Sequence, residues 1–449
     1  MPPKYSRVSR RGFLRGTAGA AAAAGVAGLS SGLPSTSVLA EGLPSVSDTL
    51  SHLAPRGAID ESYWWKVRRQ FNLKDGLTFM NTGTSGPTPQ VVIDVQARVA
   101  RDVAEDPTDC YRFEDREVVR DRVAEFVGVS SDDVTLTRNT TEGMAVFALG
   151  LDWREGDEVL MAHDEHPWPV FNYQQLERRY GIKIRWIELP APTESADAVF
   201  DLYEKAITPK TRAIVVSHMM YTTGLLTPVK ALSELARRRG LLISVDGAHP
   251  IGMLDTNVRD IGCHHYAAAG QKWLLCGTGT GLCFVHEEVR DQIWSALYVP
   301  PDLPEPYIRY AKGARKYDWG GQRNAPAGLG MAAAIELQQT IGTKNIEQRV
   351  REMSQYFREE LSKIDGVQVL TPADPDLAAG LTTFTIREIP VENIVDGAMK
   401  RDRIYLRTLE HEDLRAVRAS LHFFNMPEEV DRLLSGIAHM AKNYSDYME

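Results

Sequence analysis

The sequence predicts an α/β fold, a mostly parallel sheet covered by helices on both faces in a large domain, followed by a smaller α+β C-terminal domain. Three observations carry this. Apolar strand-like runs at 133–136, 157–162, 182–187, 212–217 and 241–246 alternate with helical patterns such as 229–239. The run Leu241-Leu242-Ile243-Ser244-Val245 is apolar at nearly every position rather than every second one, as a strand buried on both faces requires. Beyond Gly330 the pattern changes to amphipathic helices at 331–340 and 345–364, short mixed strands and a last helix at 427–444.

The chain opens on a targeting signal. Ser9-Arg10-Arg11-Gly12-Phe13-Leu14-Arg15 is a twin-arginine export motif, and it precedes an alanine-rich stretch at 16–29 and the small-residue site Val38-Leu39-Ala40. The stretch is shorter than the about 20 residues of a bilayer span, so no stable membrane insertion is expected. This organisation predicts a signal peptide at 1–40, an arm at 41–76, a large domain at 77–330 and a small domain at 331–449. The mature protein is then carried, folded, by the twin-arginine machinery to the periplasm or the exterior. With 51 basic against 60 acidic residues the formal charge is −9, which argues against a nucleic-acid partner. Cys110, Cys263, Cys276 and Cys283 have neither C-x-x-C nor zinc spacing, and Cys276 and Cys283 read as packing residues.

In the arm, Ile59-Asp60-Glu61-Ser62-Tyr63-Trp64-Trp65 reads as a capped amphipathic helix whose Tyr63, Trp64 and Trp65 are expected to pack. Residues 77–84 read as a strand running into a turn. Asn139-Thr140-Thr141-Glu142-Gly143 caps the next helix, and the residues alone fit an ordinary capping box or a phosphate site at a helix N-terminus. His163-Asp164-Glu165-His166 lacks a second cluster that would complete a metal's ligand set, so no metal is expected. Asp246 ends a buried strand, where open α/β sheets bind ligands. Lys272 follows the small-residue run Ala267-Ala268-Ala269-Gly270 and precedes the glycine ladder Gly277-Thr278-Gly279-Thr280-Gly281, which puts it in a tight, buried loop. A buried lysine is costly unless it is paired or loses its charge, and a covalent imine removes the charge. An acid and an amine 26 residues apart, both at loop edges, match pyridoxal 5'-phosphate (PLP), whose pyridinium nitrogen needs a carboxylate and whose aldehyde needs an amine.

From about residue 77 to 429 the chain resembles the class V aminotransferases, fold type I PLP enzymes that include cysteine desulfurases and isopenicillin N epimerase. The resemblance rests on Asn81-Thr82-Gly83-Thr84-Ser85-Gly86-Pro87, Thr140-Thr141-Glu142-Gly143, Val245-Asp246-Gly247-Ala248-His249, Gln271-Lys272-Trp273-Leu274 and Arg418-Ala419-Ser420, in the family's order. It implies a homodimer in which Lys272 forms the link to PLP and moves the Cα proton, while Asp246 meets the pyridine nitrogen. It also implies that His166 stacks on the ring and passes protons, with Trp168 in the same wall. His249 and Tyr221 would face the phenolic oxygen, Tyr221 standing where desulfurases carry asparagine. Thr140, Thr141 and Gln271 would hold the phosphate, Gln322 would reach the partner's phosphate across the dimer, and Arg418 would grip the substrate's α-carboxylate. Ala269 replaces the family's usual serine. The segment Arg407-Thr408-Leu409-Glu410-His411-Glu412 has no cysteine, so persulfide chemistry is not expected. The implied activity is change at Cα of an amino acid or small peptide, of aminotransferase or epimerase type. C–S lyase chemistry, tailoring of siderophore peptides in the periplasm, and an exported binding protein without turnover stand as alternatives.

Overall fold

The computed structural model describes residues 46–57, 59–107, 113–300, 302–305, 307–318 and 321–448; the expected signal peptide with Arg10 and Arg11, Cys110 and Gly320 lie outside them. Helices Val46–Leu50 and Glu61–Arg68 come first, the second capped by the Asp60 side chain on the Tyr63 amide. Tyr63 and Trp64 are buried as expected, whereas Trp65 points outward on the opposite side of the same helix. Strand β1 (Thr78–Phe79) leads into the turn at Asn81, then helices Gln90–Glu105 and Phe113–Val127.

The large sheet is built from β2 (Val134–Thr137), β3 (Glu158–Ala162), β4 (Lys183–Ile187), β5 (Thr211–Ser217), β6 (Leu242–Asp246), β7 (His265–Ala269) and β8 (Gly281–Val285). Its order is β2-β8-β7-β6-β5-β3-β4, with β8 alone antiparallel to its neighbours. Helices Thr140–Gly150, Pro167–Tyr180, Ala196–Ala206 and Val229–Arg239 cover it. Alternate residues of one strand feed different cores: Leu160, Ile214, Val216, Ile243 and Val245 join one cluster, Val159, Met161, Ala213 and Val215 the other. That is why these strands read as unbroken apolar runs.

Two features were not legible beforehand. The small-residue run before Lys272 is the end of strand β7, and the tight turn begins at Gly270. Helix Ala325–Ile341 runs without a break across position 330 and packs on helices Gln90–Glu105 and Phe113–Val127.

The C-terminal part adds helix Thr343–Leu361, β9 (Val367–Val369), β10 (Leu381–Ile386), helix Val391–Asp402, β11 (Ile404–Tyr405), β12 (Arg407–His411), β13 (Leu414–Ser420) and helix Pro427–Lys442. A four-stranded antiparallel sheet, β12-β13-β10-β9, carries its own core of Phe357, Phe384, Val417 and Ile437. β1 pairs in parallel with β11, and the Ser420 amide donates to the Met80 carbonyl at 2.7 Å. The turn after β1 is thereby held against the end of β13, which brings Asn81–Pro87 to Arg418. No helix among the described residues is long and apolar enough to cross a membrane.

Candidate active site

The site is assembled where the parallel strands end. β6 ends at Asp246, in register with Ser217 of β5 and Ala267 of β7. The turn behind it is Asp246-Gly247-Ala248-His249, and a Cβ on Gly247 would stand 2.0 Å from the Tyr266 ring, so no larger residue lets the chain bend there. The buried Asp246 carboxylate accepts the Ala248 amide at 2.9 Å. Burial raises its pKa, while the nearby Lys272 opposes the rise. Among the described residues no salt bridge reaches Asp246, so a cationic group opposite it would stabilise its anionic form.

Lys272 lies in the turn between β7 and β8. Burial pushes its pKa down to about 8; Asp246 pulls the other way, and Arg418 and Arg407 add to the fall. Its Nζ stands 3.5 Å from His249 Nε2. Indole N–H only donates, so the 3.1 Å bond from Trp273 Nε1 to His249 Nδ1 leaves the hydrogen of the neutral imidazole on Nε2, facing the lysine. Burial and the neighbouring cations hold His249 well below its ordinary pKa, hence neutral. Trp273 is in turn fixed by its carbonyl, which accepts from Gln338 and His422, both at 2.8 Å.

The loop after β3 delivers His166, the cap of helix Pro167–Tyr180. It is anchored by Glu165, whose carboxyl receives the Ser217 amide at 2.8 Å and hydroxyl at 2.6 Å. Burial pushes Glu165 up to about 8. His166, pushed down to about 3 by burial and the charges of Lys272 and Arg418, presents a neutral ring edge-on to Tyr221 at 4.9 Å. Trp168 is 59% exposed and packs on Phe171, away from this wall.

Arg418 enters from the small domain. It is buried, donates Nη1 to the Tyr221 carbonyl at 2.9 Å and Nη2 to Thr84 Oγ1 at 3.3 Å, and has a buried Nε with no partner. A Cβ on Gly83 would come within 3.0 Å of its Nη2, so the absent side chain makes room for the guanidinium. Burial and Arg407 push Arg418 down to about 9, still protonated at neutral pH. Arg407, its cross-strand partner, donates to the same Thr84 hydroxyl at 3.2 Å. Neither arginine has a salt bridge among the described residues.

Thr140 and Thr141 open helix Thr140–Gly150, whose cap Asn139 accepts the Glu142 amide at 2.9 Å. That leaves the first amides of the helix pointing outward. Thr140 Oγ1 and Gln271 Oε1 are buried without a partner. Orphaned polar atoms at a helix N-terminus, beside an amine held at a depressed pKa and a buried unpaired carboxylate, fit the phosphate, aldehyde and pyridine nitrogen of PLP.

The structure thus brings Lys272, Asp246, His249, His166, Tyr221 and Arg418 together. It places Gln322 apart, exposed on a cavity of about 230 Å³ lined also by Arg138, Thr280 and Arg323. Sequence reasoning missed Thr84, Arg407 and His411. All three lay inside segments already quoted, and the placing of the last two depends on the β12–β13 register.

This fold and this site define a class: an enzyme of fold type I with a lysine, a buried carboxylate and a buried arginine gathered where the parallel strands end. The chain belongs to the aminotransferase class-V family, whose profile matches residues 82–433, and is a PLP-dependent enzyme. It is 30% identical over 397 residues to isopenicillin N epimerase of Amycolatopsis lactamdurans, an alignment covering 84% of this chain and 99% of that one. It is 28% identical over 342 residues to cysteine desulfurase of Haloferax volcanii, covering 72% and 78%. Among solved structures, a lysine-to-alanine mutant of C-DES with glycine covalently linked to the PLP cofactor is 26% identical, with a TM-score of 0.74 over 83% of this chain and 98% of that one. Cysteine desulfurase of Thermococcus onnurineus NA1, at 21% identity and TM-score 0.75 over 86% and 99%, shares the fold.

Proposed function

We propose that the protein is an exported PLP enzyme that transforms an amino acid, or an amino-acid residue of a small peptide, at Cα by epimerisation or amino-group transfer. The observation that carries this is the buried Arg418, charged and without an acid, next to the wall that holds His166 and Tyr221. Its fork suits one carboxylate, and a carboxylate beside a reactive lysine is the signature of an α-amino acid.

When bound, PLP supplies an aldehyde for the amine and a ring that takes up the electrons released at Cα. The chain's own residues do the rest. Lys272 supplies the amine that holds the cofactor and, once displaced by the substrate's nitrogen, takes and returns the Cα proton at Nζ. Asp246 keeps a positive charge opposite it favourable. His249 offers an N–H whose direction Trp273 sets. Thr140 and Thr141 give a hydroxyl and helix amides to the phosphate, with Gln271 beside them. His166 supplies a flat neutral ring, and Arg418 orients the substrate. We read Gln322 as serving a second subunit in a homodimer.

Persulfide chemistry is disfavoured because 407–412 contains no cysteine, and Cys263, Cys276 and Cys283 are buried thiols with raised pKa values. The test is exchange of the Cα hydrogen for solvent deuterium across a panel of L- and D-amino acids and short peptides, with inversion and keto products measured together. Exchange with inversion assigns epimerisation, and exchange with an oxo-acid assigns transfer. A protein that carries PLP on Lys272 and exchanges none of the panel is instead a binding protein.

Export is proposed from Arg10 and Arg11. Replacing both by lysine should leave folded, PLP-loaded protein in the cytoplasm, because the signal and not the fold is damaged. Normal export of the double variant would remove the twin-arginine assignment.

A further inference from the structure

We propose that Tyr221 and His411 form a proton-transfer pair of the site, distinct from Lys272, that exchanges a proton with the substrate beside Arg418. This rests on the catalytic reading above.

Tyr221 Oη and His411 Nδ1 are 2.7 Å apart, and His411 Nε2 is 2.6 Å from the His163 carbonyl. A carbonyl only accepts, so Nε2 bears a hydrogen whether the ring is neutral or charged. In the neutral ring Nδ1 is then the acceptor, and Tyr221 must donate its hydroxyl hydrogen to it. The tautomer of His411 is thus set by backbone, as that of His249 is set by Trp273. The two residues come from different domains: Tyr221 from the loop after β5, His411 from the end of β12.

The pair is part of the site wall. The Tyr221 carbonyl carries Arg418, and its ring lies edge-on to His166. With its hydrogen committed to His411, the Tyr221 oxygen turns lone pairs, not a donor, toward the site. It is therefore built to accept a proton. In the step proposed, a substrate N–H or C–H bond breaks and a new O–H bond forms on Tyr221. The original hydroxyl hydrogen passes to His411 Nδ1, which becomes an imidazolium held at Nε2 by the His163 carbonyl. The reverse step returns a proton to the substrate, and no oxidant is needed. Relay through His411 avoids a free tyrosinate, which burial makes costly by pushing the phenol up to about 12.

The charges around His411 are mixed. Asp164, held by the Thr222 hydroxyl at 2.7 Å, feels its charge, and Glu412 follows it in the chain and approaches His163 Nδ1 at 3.4 Å. Glu188 lies on the far side of His163 at 3.8 Å. Arg418 and Arg407 add positive charge near Tyr221.

The experiment has two parts. In the cofactor-free protein with ¹⁵N-labelled histidine, NMR should find the His411 hydrogen on Nε2 and a hydrogen-bonded Nδ1, with the Nδ1 signal changing in Tyr221→Phe. A hydrogen on Nδ1 overturns the proposal outright, whatever the variants do. In the loaded protein, Tyr221→Phe and His411→Gln should retain the borohydride-trapped adduct on Lys272. Their Cα deuterium exchange should fall by about 10²-fold or more, the scale of general acid–base catalysis, and by no further amount in the double variant. The limb of the pH–rate profile owed to the pair should vanish in both. Exchange within about threefold of the parent with an unaltered profile means that the pair merely fastens the β12–β13 hairpin to the large domain. Absence of the Lys272 adduct in the parent would instead defeat the underlying catalytic reading.

Discussion

Lys272→Ala is expected to lose all borohydride-trapped PLP adduct and to lower Cα exchange to background, while the protein stays folded. The reason lies in what the lysine is surrounded by. Burial and two arginines make its charged form unfavourable, with a pKa of about 8. The amine is therefore partly neutral near neutral pH, where an ordinary lysine with a pKa near 10.4 is almost wholly charged. Truncation removes the nucleophile together with a charge that its surroundings disfavour. Mass mapping after reduction reads the result, and an adduct on another lysine would overturn the assignment. The pH dependence carries a sign. Only the neutral amine attacks an aldehyde, so capture of PLP by the cofactor-free protein should accelerate as pH rises through about 8 and level off above it. Arg418→Gln removes one of the charges that lower this pKa, so its curve should shift to higher pH.

Asp246→Asn should keep PLP on Lys272 but slow Cα exchange by a few hundredfold, on the order of 3 kcal/mol in the transition state, as for other preorganised electrostatic groups. Asparagine can still accept the Ala248 amide, so the turn at Gly247 should be retained. What disappears is a negative charge in a dry place, where a pair is stronger than at the surface. Burial raises the Asp246 pKa and nearby positive charge lowers it, so a ring nitrogen carrying a proton would complete the pair. The measurement compares parent and variant at equal PLP occupancy, using the substrates that exchange in the parent. Undiminished exchange would mean that another group protonates the ring, or that the ring's charge does not matter here.

Most of the sheet, and the acid at the end of β6, were legible because both are local. Leu242–Asp246 is apolar on both sides and stops at an acid, and such a run has few other places to go than the middle of a parallel sheet. The cap at Asn139 and the lysine turn announce themselves by residue type and spacing. β7 escaped notice for an equally physical reason. Its Ala267-Ala268-Ala269 has none of the branched or aromatic residues that mark strands, because helix Thr140–Gly150 presses on it. A Cβ on Gly143 would lie 2.6 Å from that of Ala267, so the strand is narrow where its neighbours come close.

What only the tertiary structure decided is who meets whom across the two domains. The sequence by itself determined the strands β2 to β6, the cap at Asn139, the acid at 246 and the lysine at 272. It contained no signal that Thr84 would receive both Arg407 and Arg418, nor that the Tyr221 hydroxyl would bond to His411. Those meetings follow from the parallel pairing of β1 with β11 and the antiparallel register of β12 with β13, which join residues 190 to 334 positions apart. Periodicity reports which face of an element is buried. Register and close packing settle which side chain stands opposite which, and a shift of one residue in β12 would turn Arg407 and His411 to the other face of their strand.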